Sequence, residues 1–247
     1  MSMWNQGPMN QFGGSFAGSD EIQAGSPALV AFFNAVYGWM AAGLGVTAVV
    51  AWLVAHNLAA FQSLVSGPGL IILFVAEIVL VMVVAGAVQR ISATVATALF
   101  LAYAALNGIT LSGIFLVYEQ TTIAGAFLVT AVTFGAMSLY GMVTQRDLTR
   151  WGSLLFMALI GLIVASVVNI FFASSALYAL ITYGGVLIFV GLTAYDTQRL
   201  KYMAVQTAGN GAAAARYSIV GALVLYLDFI NLFLLLLRLL GNSNRRN

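Results

Sequence analysis

Two aspartates carry the chemistry this sequence advertises most clearly. Asp228 sits in LVLYLDFINLFLLLLRLLG, inside an apolar run spanning 217–240. It lies about 11 residues, or about 17 Å along a helix, from the start of that run, close to the midplane of a bilayer. One methylene cannot carry its carboxyl out to water, so it must face a bundle interior, a partner or water. Ionisable groups at that depth are costly and mark ion or proton paths; the plainer alternative is a protonated carboxyl in a structural hydrogen bond. Asn231, three residues on, shares its helix face. Asp196 closes the sixth apolar run in FVGLTAYDTQRLKYM, with Arg199 at i+3 as a local partner. By hydropathy it is the shallower of the two, so the aspartates meet only if the helices slide or tilt. Should they meet, two carboxylates in low dielectric share a proton. Ionised, they offer hard oxygens to a divalent cation, Ca²⁺ above all. Protons and cations then compete for one site. Glu77, seven residues into the second run, either pairs with a hydroxyl or an arginine or lines a path. Asn107 and Asn169 read as interhelical glue.

The elements that must position these groups are membrane helices. Of 247 residues, 62% are hydrophobic and 6% charged, whereas a soluble domain carries about 25% charged residues. Seven apolar runs, at about 29–54, 70–88, 94–117, 122–143, 153–173, 176–195 and 217–240, each approach the ~20 residues a helix needs to cross a bilayer. They are apolar on all sides, which excludes the alternation of a barrel. Most connections are short, as in a compact antiparallel bundle. The longest, 196–216, contains AGNGAAAA and reads as a flexible loop whose 202–215 part lets the sixth helix shift. Residues 1–27 form a polar tail expected to be disordered, 28–241 the seven-helix domain, and 242–247 a short basic tail with Arg245 and Arg246. Arg90, Arg146, Arg150, Arg199, Lys201 and Arg216 fall on one side of the alternation, which predicts a cytoplasmic N-terminus.

Composition also removes functions. There is no cysteine, hence no disulfide and no thiolate site. The single histidine, His56, excludes a multi-histidine metal centre. A net charge of +2 is too small for nucleic-acid binding. A Tyr195–Asp196 pair raises an intramembrane aspartyl protease, but Asp228 follows LYL where such enzymes resemble GxG, so no enzyme is expected. The only lysine, Lys201, follows the sixth run, which leaves the last helix without a Schiff-base amine.

The chain resembles the Bax inhibitor-1 (transmembrane Bax inhibitor motif) family, in its bacterial inner-membrane branch, over roughly 28–241. The resemblance rests on VYGWM at 36–40, SLYGMVTQRDL at 138–148, ALIGLIVASVVNIF at 158–171, VGLTAYDTQRLK at 190–201 and LYLDFINLFLLLLRLLG at 225–241. It implies an all-α integral membrane protein of seven transmembrane helices, the C-terminal one central within the other six. It also implies a pH-sensitive calcium leak channel of the inner membrane, with Asp196 and Asp228 as the proton-sharing sensor and transient Ca²⁺ site. In that family an arginine near the end of the second helix latches onto the sixth-helix aspartate, and Arg90 is the basic residue here near that place. Glu77 and Asn231 would line the path. No cofactor is implied; Ca²⁺ is the transported ion, and the partners are the lipid bilayer, Ca²⁺ and protons. Some members are linked to a membrane protease, which leaves a non-enzymatic modulator of such a partner as the alternative function.

Overall fold

The computed structural model of the chain describes residues 26–57, 59, 61, 62, 68–87 and 90–244. The tail expected at 1–27 lies outside the described residues through residue 25, as do Arg245 and Arg246 of the basic C-terminal tail.

Helices are what an apolar chain in lipid must form, because each backbone polar group has to be satisfied within its own segment. Seven long ones are described: α1 (Pro27–Ala55), α2 (Pro68–Ala87), α3 (Ala93–Leu111), α4 (Gln120–Val143), α5 (Thr149–Phe172), α6 (Ser175–Gln206) and α7 (Gly211–Asn244). A single further turn, Ile114–Val117, continues the direction of α3. Short polar side chains start several of them, as they should where the first N–H groups lack partners. Ser26 accepts from the Leu29 N–H ahead of Pro27 at the first turn. Ser92 accepts from Val95, Ser174 from Leu177 and Asn210 from Ala213. Among the described residues six helices are long and apolar enough to cross a membrane, and Pro68–Val84 within α2 is a shorter apolar helix. At 20 residues α2 still rises about 30 Å, the thickness of the hydrocarbon.

The bundle is layered around α7. That helix packs directly on α1, α3, α4 and α6. α2 packs on α3 and α5 on α6, as an outer layer. The expected central position of the last helix is therefore reached with four helices in direct contact and two behind them. In its most apolar window 67% of α7 is buried, against none of α5, whose Phe171 is 80% exposed. A helix so apolar and so bare is suited to face lipid. Lipid is as apolar as leucine, so packing rather than hydrophobicity must hold helices together. Two glycines permit it. A Cβ on Gly141 of α4 would collide with the Ala194 carbonyl of α6, and one on Gly108 of α3 would stand 2.7 Å from the Thr47 carbonyl of α1.

One expectation is overturned. The connection read as 196–216 is almost entirely helical: α6 continues to Gln206, α7 starts at Gly211, and only 207–210 turn between them, with Gly209 at φ +86°. The supposed flexible loop at 202–215 is thus two helix ends. Apolar run length measures the lipid-facing part of a helix and is blind to its polar extension. α6 at 32 residues and α7 at 34 reach about 50 Å, well beyond the hydrocarbon.

Candidate functional site

The helical extension of α6 resolves the depth mismatch between the two aspartates. Asp196 stands ten residues inside the C-terminal end of α6, rather than at its edge. It is buried, 9% exposed, and Asp228 on α7 is 5% exposed. Their carboxyl groups meet within hydrogen-bonding reach across the α6–α7 contact. Asp228 Oδ2 is fully enclosed and has no hydrogen-bond partner among the described residues. Two carboxyls that touch in a dry place form one bond between them only by holding a proton in common. The pair supplies at most four oxygens, short of the six to eight that Ca²⁺ takes, so a cation there would keep much of its water.

Around the pair lie groups the sequence reading did not single out. Tyr37 of α1 bonds Ser138 of α4, and Ser138 Oγ is 2.9 Å from Thr197 Oγ1 of α6, next in chain to Asp196. Thr197 donates to the Thr193 carbonyl at 2.7 Å, which fixes the direction of the whole chain: Tyr37 donates to Ser138 and Ser138 to Thr197. Three helices are thereby tied beside the pair. Tyr37 and Ser138 also line a cavity of about 390 Å³ with Met40, Phe134, Met142 and Phe229. Nearer the helix ends, Gln198 grips the α4–α5 connection with both halves of its amide, accepting from the Leu148 N–H at 2.9 Å and donating to the Arg146 carbonyl at 2.8 Å. Lys201 donates to the Met142 carbonyl that ends α4.

The remaining predicted residues fall elsewhere. Arg90 is exposed in the turn after α2. The cation whose charge reaches Asp196 is Arg199, one turn along its own helix. Asn231 is half-buried and its amide donates to the Leu227 carbonyl of its own helix at 2.8 Å. Asn169, expected as interhelical glue, instead accepts from the Ser174 N–H and secures the tight α5–α6 turn, where Ala173 adopts φ +46°. Glu77 is buried and belongs to a second cluster. It accepts from Thr110 Oγ1 at 2.6 Å and is bonded by Asn107. The Asn107 carbonyl oxygen accepts from the Tyr226 hydroxyl at 3.1 Å, and that hydroxyl is 2.6 Å from Thr47 Oγ1. Tyr226 was missed, although a phenol at the depth of Asp228 always demands a partner.

Asp147, in the exposed α4–α5 connection outside the spans, is held below the usual carboxylate range by the Thr149 side chain and backbone N–H, the latter donating at 2.9 Å.

Comparison with known proteins supplies the family. A family model described as "Inhibitor of apoptosis-promoting Bax1" matches residues 29–245. The chain is 51% identical over 229 residues to the inner membrane protein YbhL of Escherichia coli K12, covering 92% of this chain and 98% of that one. It is 47% identical over 212 residues to an uncharacterized protein of Deinococcus radiodurans, covering 86% and 90%. A Borreliella burgdorferi protein, also uncharacterized, is 46% identical over 220 residues, covering 87% and 93%. With its apolar helical bundle, its paired aspartates on α6 and α7 and these relatives at nearly full length, the chain belongs to the Bax inhibitor-1 family of integral membrane proteins.

Proposed function

We propose that this protein is a non-enzymatic, proton-controlled cation leak pathway, with Ca²⁺ as the transported ion. The observation that carries the reading is the meeting of two buried carboxyls across α6 and α7, one with an oxygen left without a partner. With a proton between them, Asp196 and Asp228 bond each other and hold α6 against α7. When that proton leaves, two negative charges in low dielectric repel. The helices part, and the same oxygens become transient ligands for a passing cation. Asn231, three residues beyond Asp228 on α7, lines the path in this reading; Glu77, bonded into the cluster on the other side of α7, would line it only where that cluster opened. Arg199, one turn along α6 and exposed, lends its charge to Asp196 from a distance, and a latch by Arg90, exposed after α2, requires α2 to move toward α6.

The membrane is the bacterial inner membrane, by likeness to the relative so named. Six basic residues, Arg90, Arg146, Arg150, Arg199, Lys201 and Arg216, belong to the end where α1 begins, and the excess of Lys and Arg in cytoplasmic loops supports the reading of that end as cytoplasmic.

The test is Ca²⁺ entry into dye-loaded liposomes bearing the purified protein, from pH 6 to 8. Flux that varies with pH, and loses that variation in Asp196→Asn and Asp228→Asn, is the expected result. Flux no greater than in empty liposomes, with the protein folded and inserted, overturns it.

A further inference from the structure

α7 carries polar side chains on two opposite faces at one level of the bundle. Tyr226 and Asp228 are two residues apart, which is about 200° around a helix and about 3 Å along it. Asp228 faces Asp196 on α6. Tyr226 faces the other way, into α1 and α3, and is fully buried. Its hydroxyl lies between Thr47 of α1 and Asn107 of α3. Its ring is held edge-on by Phe100 and Tyr103, with centroids 5.7 and 5.8 Å away. Thr47 Oγ1 also stands 3.0 and 2.9 Å from the Gly43 and Ala104 carbonyls, so its single proton is shared between those acceptors and the Tyr226 oxygen. Asn107 is anchored by Glu77 of α2.

We propose that Tyr226, with Thr47 and Asn107, sets the rotation of α7 about its axis and so places Asp228 against Asp196. These three are positioning residues for the pair. The argument is mechanical. A smooth cylinder of leucine side chains in lipid has little to define its rotation, since one apolar contact replaces another at small cost. A hydroxyl seated between two fixed partners does define it. Any turn of α7 that withdraws Asp228 from α6 must also pull the Tyr226 hydroxyl out of its seat and strand it in a dry interior, where an unmade hydrogen bond is costly. The chain also has a polarity. Because Tyr226 donates to the Asn107 carbonyl oxygen, the Asn107 amide is left to donate to Glu77. α2, which touches α3 and lies behind it, thereby reaches the central helix through the Asn107 amide.

The inference takes Asp196 and Asp228 as the working pair, as in the proposed function, but its test does not need ion flux. The chain has no cysteine, so introduced cysteines report alone. Asp196→Cys/Asp228→Cys should bridge under copper phenanthroline in membranes, read as a gel-mobility shift. Adding Tyr226→Phe or Thr47→Val should slow bridging about fivefold, the equivalent of one net hydrogen bond. Thr47→Ser, which keeps the hydroxyl, should restore the rate. Gly185→Cys/Leu235→Cys keeps both aspartates and reads the same rotation, since a Cβ on Gly185 stands 2.9 Å from a Leu235 methyl and Leu235 lies two turns beyond Asp228 on the same face. This second pair serves if the first does not fold. Leu223→Ala, a buried truncation on α7 that removes no hydroxyl, sets the scale for plain loss of packing. Tyr226→Phe should slow bridging more than Leu223→Ala at equal loss of thermal midpoint. Unchanged bridging in Tyr226→Phe, or slowing only in proportion to the lost midpoint, overturns the proposal. Bridging that responds as expected in a protein without flux would leave it standing while the leak reading falls.

Discussion

The two polar clusters on α7 stand back to back and differ in how completely their atoms are satisfied. In the cluster of Glu77, Asn107, Tyr226 and Thr47, each side chain has a hydrogen-bond partner, and four helices contribute one residue each. In the pair of Asp196 and Asp228, one enclosed carboxyl oxygen has no described partner. A fully bonded polar network in low dielectric is rigid and specifies one arrangement. A carboxyl with an idle oxygen is a group that a proton, an ion or a helix movement can still improve. The first region therefore fixes the bundle, and the second is where it can change.

Asn107→Leu is the sharpest way to break the comparison. It removes the acceptor for Tyr226 and a donor to Glu77 at once. A buried polar group that loses a partner costs about 1–3 kcal/mol; two groups lose one here while Tyr226 keeps Thr47 and Glu77 keeps Thr110, so about 2 kcal/mol, the low end for two, should go. Thermal unfolding of the purified protein in lipid nanodiscs reads this directly. A midpoint equal to that of the parent would mean the satisfied cluster holds nothing.

Thr47→Val should cost less. It keeps the shape and loses one hydroxyl that touches α1, α3 and α7. Hydrogen bonds between membrane helices average about 0.6 kcal/mol, with individual cases near 2, and a shared hydroxyl belongs toward the upper part of that range. The same unfolding measurement checks it, with Thr47→Ser expected near the parent.

Much of this architecture was legible in the residues, for reasons that differ by element. The seven runs were visible because lipid imposes a length and a composition on anything that crosses it. Asp196 and Asp228 stood out because a charge in an apolar run has few explanations. Their meeting was not legible. It depends on α6 running to Gln206 and α7 starting at Gly211, and the polar and alanine-rich residues between read equally well as loop. The Tyr226 cluster was harder still. Thr47, Asn107 and Tyr226 are far apart in sequence, and a threonine in a membrane helix commonly bonds its own backbone, as Thr130 does with Ala126. Which polar residues find each other is a property of packing, and packing here follows close approaches such as Gly108 on Thr47.

A smaller effect is expected outside the membrane, where neither kind of cluster can form. Asp147 is fully exposed, and its carboxylate is held below the usual range by Thr149 at the start of α5. A depressed value means that the ionised form is favoured by the fold. Its contribution is present above the ordinary carboxylate range and is lost as pH falls through the lowered value. Water competes for every bond it makes, so the loss should stay local. Amide exchange at Thr149 should quicken in Asp147→Ala, while the unfolding midpoint stays with the parent.

The smallest change in stability should come from a residue at the centre of the proposed function. Asp228→Asn leaves a side chain of the same shape, exchanges one oxygen for an NH₂ and removes the need for a shared proton. The new donor can face the Asp196 carboxylate at any pH, so the contact between α6 and α7 is kept without a proton to lose. The unfolding midpoint should hold or rise, in contrast to Asn107→Leu on the opposite face. Pairing midpoint with flux in the same preparation separates the two regions. A variant that stays folded while its flux no longer answers to pH identifies the pair as the adjustable part. A large drop in midpoint for Asp228→Asn would instead show that the carboxyl pair is as structural as the cluster behind it, and the contrast between the two faces of α7 would be gone.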